Sequence, residues 1–179
     1  MVAVQAVLGL VEPHSSGLGG VAFLVWYDAV SGDVTTLDGR ETAPLAVTPT
    51  LFQTEDGEPM GFWDAVIGGR AVGTPGTPAL MAEAHARWGQ ADWADLLAPA
   101  VSVAEEGFLV SNRLAESVAR DAERLSTYPR TAAYFLPGGE PIEEGSVLMI
   151  FAYAATLKAM SEGGAEVFYS GDIAQGIVD

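Results

Sequence analysis

The side chain with the clearest chemical potential is Arg40, which follows the second of two predicted strands and stands between Gly39 and Glu41. The chain has only 8 Lys and Arg residues, so an arginine at a strand end stands out. A guanidinium held there can bind a carboxylate through two parallel hydrogen bonds, a geometry that lysine cannot reproduce. The alternative is a local ion pair with Asp38 or Glu41, which is the commoner role of an exposed arginine. The residue types therefore favour either a carboxylate site or a structural ion pair.

The histidines and serines do not form a recognisable metal site or catalytic triad. His14 and His85 lie far apart in the sequence, and neither has a second histidine or a carboxylate at a metal-ligand spacing. Ser15 and Ser16 are not in a G-x-S-x-G turn, so a neighbouring histidine does not indicate a nucleophile. The chain has no cysteine, which excludes thiolate catalysis and disulfides. We therefore expect no metal, no cofactor and no catalytic residue within this sequence.

Charge and composition exclude two classes of partner. The formal net charge is −16, from 24 acidic and 8 basic side chains, and it repels phosphate backbones and anionic lipid headgroups. The glycine-rich segment 17–20 precedes a predicted strand, whereas a phosphate-binding loop follows a strand and leads into a helix. No apolar stretch is as long as a membrane span. We expect neither a nucleic-acid partner nor a membrane span in this segment.

The elements that position Arg40 follow from short apolar runs. Met1–Leu10 is apolar nearly all round and predicts a buried helix. Val21–Tyr27 is continuously apolar, with β-branched and aromatic residues, and predicts a central strand. Val34–Leu37 predicts the strand that pairs with it, and residues 38–44 leave the sheet as a polar loop. Arg40 is thus expected at the point where the second strand gives way to a loop.

The remainder of the chain shows mainly helical patterns. Thr77 is predicted to cap a helix and Asp92 to open the next one, in which Pro99 should cause a kink or a break. The first helix begins without a cap and the last one ends without a cap, so we expect one incomplete domain over 1–179, truncated at both ends. The predicted class is α+β, mostly helical with a short central strand pair. Helices are predicted over residues 77–89, 92–107, 111–125, 147–160 and 165–178.

Four segments resemble, in the same order, motifs of the γ-glutamyltransferase (γ-glutamyltranspeptidase) family. Residues 68–76 (GGRAVGTPG) resemble its VGVPG turn. Residues 93–110 resemble its L-x-PA-x-x-LAEDGF-x-V helix and turn, and residues 162–177 resemble its EG-x-x-x-FY-x-G-x-IA segment. Residues 3–44 resemble a helix, glycine-rich loop and strand pair that end in D-x-R-E-x-A-P, matched here by Asp38, Arg40, Glu41, Ala43 and Pro44.

The resemblance implies a segment of the large subunit of an N-terminal-nucleophile hydrolase, an αββα sandwich whose precursor cleaves itself. In that family a Thr exposed at the N-terminus of the small subunit is the nucleophile. It accepts the γ-glutamyl group of glutathione-like donors and passes it to water, amino acids or peptides. That Thr is not in this chain, so we expect the chain alone to be inactive and to need the small subunit of the same precursor. The family resemblance also implies a periplasmic or extracellular location.

For the site, the resemblance implies that Arg40 binds the α-carboxylate of the γ-glutamyl group. Glu41 is expected to support Arg40 without touching the substrate. A related cephalosporin or glutaryl acylase is one alternative, although Arg40 favours a γ-glutamyl donor. A non-catalytic, carboxylate-binding pseudoenzyme domain is another, and an unrelated helical structural domain is a third.

Overall fold

The computed structural model describes residues 1–178, which form eight α-helices and two antiparallel sheets of two strands each. None of the helices in this range is both long enough and apolar enough to cross a bilayer. The strands are β1 (Ala22–Tyr27), β2 (Val34–Gly39), β3 (Phe108–Leu109) and β4 (Val147–Leu148). The helices are α1 (Val2–Val11), α2 (Phe62–Val66), α3 (Thr77–Trp88), α4 (Trp93–Glu106), α5 (Asn112–Ser126), α6 (Pro129–Phe135), α7 (Phe151–Gly163) and α8 (Gly171–Val178).

The main hydrophobic core lies where α4 packs against α1 and α7. Each fully buried leucine in this core contributes about 1.5–3 kcal/mol through the apolar surface it removes from water. A second, smaller core lies under α5, α6 and the β3–β4 pair. The large side chains at the centre of the main core are Leu10, Met81, Leu97, Leu157 and Met160.

The β1–β2 hairpin carries Arg40 at its end. Its antiparallel register pairs Ala22 with Gly39 and Tyr27 with Val34, which confirms the predicted strand pair. A central strand would have partners on both edges, but within residues 1–178 β1 pairs only with β2. Phe23 and Val25 on β1 are 62% and 72% exposed. The hairpin packs through its other side chains against α3, the helix that begins next to Arg40.

Pro99 does not break α4, so of the two predicted outcomes, a kink or a break, the break is wrong. The helix is continuous from Trp93 to Glu106, although the proline removes one backbone hydrogen bond. Leu97, Ala100 and Ala104 on the same helix are completely buried. Burial on both sides of the proline stabilises the helix, since tertiary packing supplies most helical stability in a folded protein.

Two predicted helices near the end of the chain begin later than expected. Residues 147–148 form β4 and pair with β3, so α7 starts only at Phe151. The predicted helix over 165–178 is divided into a 3₁₀ turn (Ala165–Phe168) and α8. Gly171 has a φ of 73° at the division, a conformation that interrupts a right-handed helix. Helices α2 and α6 were not predicted.

Candidate functional site

The candidate site lies at the C-terminal end of β2, where Gly39 packs against α3. A side chain at Gly39 would bring its Cβ to 2.6 Å from Leu80 Cδ1 and 2.9 Å from the Ala22 carbonyl oxygen. Only glycine allows this approach, so the end of the strand is held closely against the helix. The rigid strand end fixes the backbone from which Arg40 extends.

The Arg40 guanidinium projects into solvent and has unpaired donors. The Arg40 backbone N–H donates to Asp38 Oδ1 at 2.8 Å, which forms the turn at the strand end. The side chain is 64% exposed, and its Nε lies 3.5 Å from Glu41 Oε2. Within residues 1–178 the guanidinium forms no hydrogen bond and no second ion pair. Several N–H donors are therefore free to bind an anion.

Glu41 lies beside Arg40 but does not hydrogen-bond to its guanidinium. At 3.5 Å the pair is an ion pair but is too long for a good hydrogen bond. Glu41 Oε2 is itself buried and has no hydrogen-bond partner in the described chain. The expected alternative of a local ion pair is thus present, although only its Arg40 side is largely exposed and the pair is too long for a hydrogen bond. This weak pairing leaves Arg40 able to exchange Glu41 for a ligand carboxylate.

A pocket of about 260 Å³ opens beside Arg40. Two of its lining residues are acidic and one is basic, and none carries a hydroxyl, a thiol or an imidazole. The pocket can therefore bind and orient a polar ligand, but its lining residues supply no hydroxyl, thiol or imidazole nucleophile. It is lined by Leu37, Asp38, Gly39, Arg40, Gly76, Ala79, Leu80 and Glu83.

The turn over residues 73–76 is hydrogen-bonded to the segment that follows Arg40 and Glu41. Thr42 and Thr74 form an isolated antiparallel bridge, with hydrogen bonds of 3.3 and 2.9 Å. The Gly76 and Thr77 N–H groups donate to the Gly20 carbonyl at 3.1 and 3.3 Å. The glycine-rich loop therefore contacts the start of α3. Gly76 is the N-terminal cap residue of α3, one position before the predicted cap Thr77.

Tyr169 joins this turn to α3, a role that the sequence did not suggest. Its hydroxyl donates to the Pro75 carbonyl at 2.8 Å and accepts from the Ala79 N–H at 3.0 Å. Burial raises the pKa of the Tyr169 phenol, the Ala79 N–H lowers it in part, and the charge of Glu166 raises it further. The phenol is therefore held in its neutral form, which can both donate and accept. In the sequence, Tyr169 was distinguished only by its place in the segment that resembles the family's F-Y-x-G motif.

The remaining candidate residues lie in contacts of their own. His14 Nε2 and Ser15 Oγ accept from the Arg113 guanidinium at 3.2 and 3.3 Å. His85 Nε2 lies 2.8 Å from the Ala91 carbonyl oxygen, and its ring packs edge-on against Trp93. No group of three or more His, Asp and Glu side chains able to hold a metal occurs among residues 1–178.

The strand end packed against α3 presents an exposed arginine, and comparison with known proteins identifies the family of the chain. All of residues 1–179 match the family model described as gamma-glutamyltranspeptidase. The chain belongs to the γ-glutamyltranspeptidase family. The predicted α+β class, as part of an N-terminal-nucleophile hydrolase, and the predicted large-subunit segment are both confirmed.

Individual relatives agree with this membership. A glutathione hydrolase proenzyme from Bacillus subtilis (strain 168) is 40% identical over 180 residues, covering 99% of this chain and 30% of that protein. An acylase ACY 1 proenzyme from Pseudomonas sp. (strain V22) is 33% identical over 179 residues, covering 96% of this chain and 32% of that protein. The crystal structure of Helicobacter pylori gamma-glutamyltranspeptidase matches with a TM-score of 0.93 and 33% identity, covering 98% of this chain and 50% of that chain. The chain therefore spans about a third of the length of the curated relatives it matches.

Proposed function

We propose that this chain is the part of a γ-glutamyltransferase that binds the α-carboxylate of glutathione-like donors, with Arg40 as the binding residue. The observation that carries the proposal is the exposed guanidinium with free donors on a rigid strand end. A carboxylate can accept two parallel hydrogen bonds from it, and the pocket beside Arg40 can hold the attached carbon chain. Glu41 holds the guanidinium near this position when no donor is bound.

The reaction that fits this binding mode is acyl transfer. A Thr hydroxyl from the remainder of the precursor attacks the γ-carbonyl carbon of the donor, and its proton passes to the leaving amine as the C–N bond breaks. The resulting γ-glutamyl ester is then attacked by water, an amino acid or a peptide, which releases the Thr hydroxyl. Arg40 contributes by fixing the donor at its far end, so that the γ-carbonyl is presented in one orientation.

The proposal also includes the inactivity of this chain by itself. The pocket beside Arg40 contains no hydroxyl, thiol or imidazole among its lining residues. The chain spans about a third of the length of curated relatives, so a complete enzyme has most of its residues elsewhere. Donor binding is thus assigned to this segment and bond cleavage to the small subunit of the same precursor.

The test compares two donors that differ in one group. A γ-glutamyl anilide carries the α-carboxylate, and a 4-aminobutanoyl anilide keeps the amine but lacks that carboxylate. In the complete precursor enzyme, Arg40→Ala should lower kcat/KM for the γ-glutamyl anilide by about 10-fold to 150-fold, since a hydrogen bond to a charged group contributes about 1.5–3 kcal/mol. The same substitution should change kcat/KM for the 4-aminobutanoyl anilide only slightly.

Arg120→Ala is the matched control for this experiment. Arg120 is 71% exposed and lies 3.9 Å from a neighbouring carboxylate, that of Asp121, which resembles the setting of Arg40 beside Glu41. The Arg120→Ala substitution should leave kcat/KM for both anilides unchanged. An unchanged preference between the two donors in Arg40→Ala would reject the assignment of Arg40.

An acylase specificity is the second candidate, favoured by the similarity to the acylase ACY 1 proenzyme. A glutaryl anilide keeps the terminal carboxylate but lacks the amine, so it distinguishes the two specificities. Comparable kcat/KM values for glutaryl and γ-glutamyl anilides would favour the acylase, whereas a strong preference for the γ-glutamyl anilide would favour the γ-glutamyltransferase.

A further inference from the structure

Tyr169 is a second residue whose contacts lead to the donor site, although it does not line the pocket. Its hydroxyl bridges two backbone groups, the Pro75 carbonyl at 2.8 Å and the Ala79 N–H at 3.0 Å. Ala79 is in the first turn of α3, where backbone N–H groups have no partner within the helix. The hydroxyl therefore satisfies an amide that the helix leaves free and at the same time holds the preceding turn.

The turn held by Tyr169 touches the backbone of Arg40 directly. A Cβ atom on Gly76 would lie 2.1 Å from the Gly39 carbonyl oxygen and 2.9 Å from the Arg40 carbonyl oxygen. At the other end of the turn, a Cβ atom on Gly73 would lie 2.7 Å from Glu41 Cγ. The turn therefore packs directly on the backbone of Arg40, and the hydrogen bonds between Thr42 and Thr74 join it to the segment that follows Glu41. A displacement of the turn is thus expected to shift Arg40 and Glu41.

We propose that Tyr169 is a positioning residue for donor binding, which acts by holding the turn over residues 73–76 against Arg40. This inference rests on the proposed function, because it assigns Tyr169 to the same carboxylate site. Phenylalanine keeps the ring but cannot donate to Pro75 or accept from Ala79. Loss of both hydrogen bonds frees the turn to move away from β2, and the backbone from which Arg40 extends loses its support.

The first experiment measures Tyr169→Phe in the complete enzyme against Tyr153→Phe. Tyr153 is a matched control, because its hydroxyl also donates to a backbone carbonyl, that of Ala6 at 2.9 Å, within the α1–α7 contact. Tyr169→Phe should raise KM for the γ-glutamyl anilide about tenfold, an effect of the size of one hydrogen bond, with a smaller change in kcat. Tyr153→Phe should lower the melting temperature by about as much as Tyr169→Phe does, but it should not change KM.

A double-mutant cycle with Arg40→Ala shows whether Tyr169 acts through Arg40. In the Arg40→Ala background, Tyr169→Phe should have no further effect on kcat/KM for the γ-glutamyl anilide, because the group that it positions is absent. Equal effects of Tyr169→Phe in both backgrounds, or equal effects of Tyr169→Phe and Tyr153→Phe, would overturn the positioning role.

The cycle also separates the failure of this inference from that of the proposed function. If Arg40→Ala removes the preference for the γ-glutamyl over the 4-aminobutanoyl anilide while Tyr169→Phe leaves it intact, only the positioning role is wrong. If Arg40→Ala leaves the preference intact, the carboxylate site is wrong, and the role of Tyr169 is rejected with it.

Discussion

Gly76 lies at a very close approach between the start of α3 and the end of β2, and the structure predicts the effect of adding one methyl group there. In Gly76→Ala the new Cβ would lie 2.1 Å from the Gly39 carbonyl oxygen and 2.6 Å from its carbonyl carbon. Both are backbone atoms, so no side-chain rotation can relieve the overlap. The φ of −102° suits any residue, so the effect is purely one of space.

The expected cost follows from the separation that the methyl group requires. Overpacking of a tight contact costs about 1–3 kcal/mol. The hydrogen bonds from Gly76 and Thr77 to the Gly20 carbonyl would also be stretched, at a cost of about 0.5–1.5 kcal/mol each. We therefore expect Gly76→Ala to lower the free energy of unfolding by about 2–6 kcal/mol, as measured by urea denaturation. In the complete enzyme it should also raise KM for the γ-glutamyl donor.

Gly69→Ala provides the control, since a Cβ atom at Gly69 meets no atom within 4 Å and the residue has no positive φ. This substitution should change the free energy of unfolding by less than about 1 kcal/mol, and in the stabilising direction if it restricts the unfolded chain. If Gly76→Ala and Gly69→Ala have the same free energy of unfolding, the close packing of α3 on the Arg40 loop is refuted.

Two further predictions concern ionisation and activity. Burial raises the pKa of Tyr153 from 10.0 to about 12, so its stabilising effect is complete below pH 10 and is lost as the pH rises through about 12. Urea denaturation should therefore show a smaller fall in the free energy of unfolding between pH 10 and 12 for Tyr153→Phe than for the unsubstituted chain. If the free energy of unfolding fell equally in both proteins, the burial of the Tyr153 phenol would be contradicted. The purified 179-residue chain should release no aniline from a γ-glutamyl anilide in a spectrophotometric assay, and measurable turnover would contradict the assignment of the nucleophile to the small subunit.

The sequence predicted the local elements around Arg40 well, because their signals are local. An apolar run and a turn identify the β1–β2 hairpin. Ser111 or Asn112 was predicted to open α5, and the Ser111 hydroxyl accepts from the Leu114 N–H at 3.1 Å as a cap. Arg40 was singled out because it stands at a strand end in a chain with few basic residues, but only the family resemblance implied that it binds the α-carboxylate. Its contact with substrate remains a prediction.

The sequence did not predict features that depend on contacts between distant segments. Pro99 signals a helix break, but packing of α4 on both neighbouring helices overrides that signal. The sequence pattern around Val147 predicted a helix. In the structure Val147 pairs with Leu109 of β3, which lies well before it in the sequence. Tyr169 lies 94 residues from Pro75, so its bond to the turn had no local signal.

The most direct test of the account is the structure of the complete enzyme with a γ-glutamyl compound bound. The measurement is the distance from the Arg40 guanidinium nitrogens to the ligand α-carboxylate oxygens. We expect two parallel contacts of about 2.7–2.9 Å, with Glu41 displaced from its present position beside Nε. A ligand whose α-carboxylate binds elsewhere, with Arg40 still paired only with Glu41, would contradict the account.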